Sequence, residues 1–158
     1  MRLNSFTDYG LRVLMYLASE PERRITITEI ATAFDISRHH LATVVHFLGQ
    51  AGLLHNVRGR GGGLALARAP AAINISAVVR ATEGRPMPAE CFDRTGNTCG
   101  IARDCLLRDA LGEAVDAFHA VLDGYTLADI TRGTKPLAQV LKFMPAAGRS
   151  GGRRGAGP

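Results

Sequence analysis

The chain has 158 residues, 46% of them hydrophobic, and carries 19 Lys and Arg against 14 Asp and Glu, a net charge of +5. That length accommodates one compact domain, or a small domain with an extension. No apolar run reaches the roughly 18 residues of a membrane-spanning helix. The opening MRLNSFTDYG lacks a charged stretch followed by an apolar segment and a small-residue cleavage site, so a cytoplasmic location is expected, where thiols stay free for metal.

Three arginines, Arg149, Arg153 and Arg154, sit in the acid-free tail from Pro145 to Pro158. Three of the five net charges therefore belong to a segment too poor in apolar surface to fold, expected to be disordered and mainly solubilising. The basic balance is a weaker nucleic-acid signal than it looks.

In chain order, Ser5 to Ser19 reads as a helix: Phe6, Val13, Leu14 and Leu17 recur at helical spacing, and Pro21 lies just past the end. Thr26-Ile27-Thr28-Glu29 has the capping-box form and opens a helix through Ile30, Ala31 and Phe34. The turn Phe34-Asp35-Ile36 leads to Ser37, a second N-cap. A third helix then runs to about Gln50, with Leu41, Val44, Val45 and Leu48 on one face and Gly52 ending it. Two short helices joined by a tight turn make a helix-turn-helix candidate. Leu53 to Val57 reads as a strand, Arg58 to Gly63 as a basic glycine-rich tip, and Leu64 to Ala67 as the return strand. Helix-turn-helix followed by a hairpin is the winged-helix arrangement. The predicted fold class is mainly α with a small β-wing, joined to a long dimerisation helix.

Another short helix is predicted over Ile73–Glu83, and Gly84-Arg85-Pro86-Met87-Pro88 breaks the chain. From Leu106 to Leu122 a long helix resumes. Leu107, Leu111, Ala114, Phe118 and Val121 follow each other by fours and threes, with Tyr125 extending the row. So long a helix beside a small domain predicts the seam of a symmetric dimer. The organisation expected is a DNA-binding domain over 1–70, a connecting helix and linker over 71–89, a thiol loop over 90–105, the dimerisation helix and a short helix over 106–135, and a C-terminal segment over 136–158.

Ser37, Arg38, His39 and His40 open the third helix, the part of such helices that meets base edges in the major groove. Arg38 suits guanine or a phosphate, and the histidines suit phosphates or bases. At the tip, Arg58 and Arg60 flank Gly59, which lets the backbone approach DNA while a narrow minor groove attracts arginine. The glycine run lacks the Gly-Lys-Ser/Thr ending of a nucleotide loop and opens onto a strand. No catalytic constellation competes: Ser37, His39 and His40 share one helical turn with no acid placed to orient a base.

All three cysteines fall within the spacing Cys91-x7-Cys99-x5-Cys105. An odd count argues against a disulfide framework, and thiolates on one polar loop suit iron–sulfur or zinc ligation. Cys105 begins the long helix, whose positive end favours an anionic sulfur, and Arg94 and Arg103 add to that field. Structural zinc favours close cysteine pairs and four local ligands. An iron–sulfur cluster is therefore preferred, with a thiol redox switch and zinc left open.

Ser5-Phe6-Thr7-Asp8-Tyr9-Gly10-Leu11-Arg12, Ser37-Arg38-His39-His40-Leu41, Val57-Arg58-Gly59-Arg60-Gly61-Gly62-Gly63 and the three cysteines before a long helix together resemble the winged-helix iron–sulfur repressors. That family includes the nitric-oxide-sensing NsrR type, the cluster-assembly regulator IscR and the rhizobial iron regulator RirA. The resemblance spans roughly residues 1–135 and is nearest to the NsrR type. It implies a homodimer whose long helices cross and whose winged helices read a palindromic operator in double-stranded DNA. It also implies a 4Fe-4S cluster on Cys91, Cys99 and Cys105, completed by Asp8 of the partner subunit, with nitric oxide releasing the operator. IscR-like proteins complete a 2Fe-2S site with a histidine three residues past the last cysteine, where this chain has Arg108. The seven-residue gap after Cys91 and Ala89-Glu90-Cys91-Phe92 are RirA-like, which keeps an iron- or oxygen-responsive regulator, and a 2Fe-2S cluster, as alternatives. A cluster carrier that uses the winged helix for protein contacts is the reading from another class.

Overall fold

The computed structural model describes residues 3–57, 59, 61–84, 88–93 and 95–133. The predicted break at 84–88 lies partly outside these residues, and the tail wholly so. Helix α1 (Ser5–Ser19) starts at Asn4, whose side chain accepts from the Thr7 amide at 2.8 Å; Val13, Leu14 and Leu17 are its buried stripe. Helix α2 (Ile27–Phe34) starts at Thr26, whose hydroxyl accepts from the Glu29 amide at 3.1 Å. It stops at Asp35, which takes the left-handed conformation (φ 52°), one that a short polar side chain tolerates.

Helix α3 (Arg38–Gln50) buries Leu41, Val44, Val45 and Leu48 as its spacing predicts. Ser37 holds the N-cap position, but its side chain makes no capping hydrogen bond. Its carbonyl accepts the first hydrogen bond of the helix, from the Leu41 amide at 3.1 Å. Strands β1 (Leu54–Val57) and β2 (Gly63–Leu66) pair antiparallel, with Leu54 opposite Leu66 and Val57 opposite Gly63. The expected strand residue Leu53 donates its amide to Leu48 at 3.0 Å, closing α3 rather than starting the strand.

Ile25 joins the wing through reciprocal amide–carbonyl bonds to Leu64, 3.1 and 2.7 Å long. This third segment of the wing was not legible, because a single paired residue has no alternation to read. It also explains Gly63: a Cβ there would sit 3.0 Å from the Ile25 carbonyl oxygen, at φ +156°.

Helix α4 (Ile75–Glu83) begins two residues later than predicted because Asn74 caps it, accepting from the Ala77 amide at 3.0 Å. Ile73 is 1% exposed and takes the Leu127 amide on its carbonyl at 2.8 Å. A 3-10 turn over Glu90–Phe92 precedes α5 (Leu106–Asp123), and α6 (Leu127–Thr131) follows, held by a Thr126–Asp129 capping box.

One core unites these elements, centred on Leu14, Ile30, Leu41, Leu48, Leu64, Val78 and Leu127. Two threads tie α1 to α4: the Thr7 hydroxyl donates to Thr82 at 2.8 Å, and the Asn4 amide to Glu83 at 2.8 Å. The end of α5 is stitched to the start of α4, with the Ile75 amide on the Tyr125 carbonyl (3.0 Å) and the Asn74 amide group on that of Asp123 (2.8 Å).

That stitching splits the predicted seam. Leu107, Val121 and Tyr125 are 66%, 62% and 49% exposed, but Phe118 turns inward against the core. An α-helix of 3.6 residues per turn drifts off a strict heptad row, so one member of the row reaches α4 instead. Beside it His119 is buried, its Nδ1 3.3 Å from the Ser76 hydroxyl, so it is a core side chain.

Candidate functional site

The three cysteines are free; Cys91 and Cys105 are half-buried and Cys99 is exposed. Two braces shape the loop that carries them. Glu90, just before Cys91, accepts on one carboxylate oxygen from the Thr98 amide (2.7 Å) and hydroxyl, just before Cys99. These Thr98 hydrogen bonds hold the Glu90 carboxyl below the usual carboxylate range, the hydroxyl's being the larger influence. Across the loop, the Arg108 Nε donates to the Cys91 carbonyl at 3.3 Å. Cys105 sits at the N-cap of α5, as the sequence predicts, without a side-chain capping bond.

Among the described residues no three His, Cys, Asp or Glu side chains are already drawn together as a metal site. The donor chemistry nevertheless fits thiolate-bound iron: three free soft ligands, no competing disulfide, and one polar loop spanning them. Arg94, expected to add positive charge there, lies outside the described residues.

Asp8 sits in the first turn of α1, well apart in sequence from the loop, and pairs with Arg12 at 2.8 Å, the two side chains 43% and 41% exposed. The contact is two-pronged, the Arg12 Nε donating to the other Asp8 oxygen at 3.1 Å, while the Arg12 guanidinium also lies 5.6 Å from the Phe34 ring centroid. Behind it α1 is wedged on α3: Phe6 meets Phe47 edge-on at 5.3 Å, and Gly10 faces Val44 and Leu48.

The N-cap and first turn of α3 present Ser37, Arg38, His39 and His40, all exposed. Thr43 and His46, at i+4 and i+7 from His39, are also exposed. On the wing, Gly59 is exposed with φ +103°, and the Gly62 amide closes a turn on its carbonyl at 2.9 Å. Arg58 and Arg60 lie outside the described residues. The bracing residues, Glu90 and Thr98 in the thiol loop and Arg108 on α5, were not singled out as such, because they carry no metal-ligand spacing to flag them.

Residues 3–133 match the family model Rrf2, described as an iron-dependent transcriptional regulator. The chain is 48% identical over 143 residues to the HTH-type transcriptional regulator NsrR of Geobacillus kaustophilus, covering 90% of this chain and 97% of that one. It is 45% identical over 144 residues to the NsrR of Bacillus subtilis, covering 90% and 99%. Among solved structures, CymR, the global cysteine regulator of B. subtilis, superposes with a TM-score of 0.66 at 29% identity, over 85% of this chain and 98% of that one. No helix among the described residues is long and apolar enough to cross a membrane. A winged helix, a free-thiol loop and the match to relatives named as transcriptional regulators lead to one assignment: the chain belongs to the Rrf2 family of iron-dependent transcriptional regulators.

Proposed function

We propose that the protein is a cytoplasmic, homodimeric repressor that reads a palindromic operator and senses nitric oxide through a 4Fe-4S cluster. One observation carries the reading: a winged helix is followed by a braced loop of three free cysteines, in a chain 48% identical to a relative named NsrR. Cys91, Cys99 and Cys105 would hold the cluster, with Asp8 of the partner subunit as fourth ligand. When bound, the cluster would supply the iron with which nitric oxide reacts. The rest falls to the chain's own side chains.

Asp8 would exchange its two-pronged pair with Arg12 for the partner's cluster and so anchor α1 of one subunit to the loop of the other. Because Phe6 and Gly10 of α1 pack on Phe47, Val44 and Leu48 of α3, fixing α1 fixes the separation of the two recognition helices. Dimeric readers need that separation near one helical turn of DNA, roughly 34–36 Å or a multiple. Loss of the Asp8 anchor frees the register and the operator is released. Ser37, Arg38, His39 and His40 would enter the major groove, while Arg58, Gly59 and Arg60 track the adjacent backbone or minor groove. The exposed Leu107 and Val121 of α5 supply an apolar face for the second copy.

The test is the non-denaturing mass of protein purified without oxygen, before and after stoichiometric nitric oxide, alongside operator binding. A dimer with four irons and four sulfides per chain that reacts and lets go of DNA is the expected result. A 2Fe-2S or iron-labile cluster indifferent to nitric oxide would move the signal to iron or oxygen, as the RirA-like spacing after Cys91 allows. A metal-free or zinc-only protein overturns the cluster.

A further inference from the structure

We infer that Arg108 is a positioning residue that holds Cys91 beside Cys105 before any metal binds, an inference that rests on the cluster reading above. Arg108 stands on the first turn of α5 and is half-buried. Its Nε donates to the Cys91 carbonyl at 3.3 Å, and its guanidinium lies 5.6 Å from the centroid of the Phe92 ring. Its own amide donates to the Cys105 carbonyl at 3.0 Å. One residue thus touches both ends of the loop. Phe92 reaches α5 as well, its ring 3.9 Å from the point where a Gly112 Cβ would stand.

The arrangement shortens the loop that metal has to close. With Cys91 and Cys105 already tied to one helical turn, and Cys99 drawn toward Cys91 by Glu90 and Thr98, less chain entropy is lost when three sulfurs converge. Arginine rather than lysine is required, because only a planar guanidinium stacks on a ring while its Nε donates sideways.

The experiment uses the full chain, made without oxygen in cluster-free and cluster-loaded forms, as wild type, Arg108→Ala, Arg108→Lys, Phe92→Ala and Phe92→Tyr. Deuterium uptake is read at the Phe92 and Asp93 amides, which close the 3-10 turn on the Ala89 and Glu90 carbonyls. In cluster-free protein both amides should exchange about five-fold faster in Arg108→Ala and Phe92→Ala, the scale of a lost exposed cation–π contact. Phe92→Tyr, which keeps the ring, should exchange like wild type; Arg108→Lys should not. In loaded protein, iron should pass to a ferrous chelator faster by a similar factor in Arg108→Ala, at an unchanged thermal midpoint. Wild-type exchange in both alanine variants, or full rescue by Arg108→Lys, overturns the inference. Faster exchange in Arg108→Ala beside a wild type that takes up no cluster overturns the metal-centre reading instead, leaving the contact itself in place.

Discussion

Glu90 and Thr98 are eight residues apart, and one carboxylate oxygen of Glu90 takes both the amide and the hydroxyl of Thr98, the amide at 2.7 Å. Each partner immediately precedes a cysteine, so the contact brings the chain at Cys91 and the chain at Cys99 side by side. Charge-assisted hydrogen bonds of this kind are the stronger class. Glu90→Ala should loosen the loop and quicken trypsin cleavage after the exposed Arg103 several-fold, while Thr98→Val, which loses only the hydroxyl, should quicken it less. Cleavage at the wild-type rate in Glu90→Ala would mean that the brace does not hold the loop.

Gly10 lies in the middle of α1 at the contact with α3. A Cβ there would meet Val44, Leu48 and Thr82 at 3.8–3.9 Å, which is ordinary packing distance. Gly10→Ala should therefore be tolerated and gain up to about 1 kcal/mol from helix propensity. Gly10→Leu has no room and should cost about 1–3 kcal/mol by overpacking. Urea unfolding of the two variants checks both signs, and a Gly10→Leu protein as stable as wild type would mean that α1 and α3 are not in close contact.

What the sequence made legible was local. Leu41, Val44, Val45 and Leu48 announce the buried face of α3 because helical periodicity is a property of neighbours, and Thr26 caps for the same reason. What it hid was the identity of remote partners: Ile25 on Leu64, Thr7 on Thr82, Arg108 on Cys91. Phe118 illustrates the limit within one helix. Its spacing suits an intermolecular seam and an intramolecular core equally, and the packing of α4 decides between them. The thiols were visible as a set, yet their braces were not, since Glu90 and Thr98 look like any polar loop residues.

Tyr16 is 2% exposed and donates its hydroxyl to Glu29 at 3.1 Å. Burial first, and the Glu29 charge second, push its phenol from 10.0 up to about 12. A group whose pKa is raised on folding contributes stability that is fully present below its unfolded value and lost as pH rises through the folded one. The Tyr16 contribution should thus be constant below pH 10 and fade between pH 10 and about 12. Tyr16→Phe should cost about 1 kcal/mol at neutral pH and flatten that alkaline slope. Equal slopes in denaturant titrations of the two proteins at pH 9 to 12 would sink the assignment.

On the DNA side, the proposed contacts differ in kind and separate by salt. Arg58 and Arg60, if they neutralise phosphates, each contribute about 0.9 to the slope of log affinity against log salt. Arg58→Ala and Arg60→Ala should each lower that slope by nearly one unit and weaken all sequences alike. Arg38, exposed on the first turn of α3, is the residue proposed to meet a base edge, where a good bidentate contact discriminates by about 1–3 kcal/mol. Arg38→Ala should therefore reduce the preference for the operator over unrelated DNA more than it reduces the slope. Fluorescence anisotropy across a salt series reads both quantities at once. A slope unchanged in both wing variants would take the wing off the DNA, and an Arg38→Ala protein with undiminished operator preference would take the first turn of α3 out of base reading.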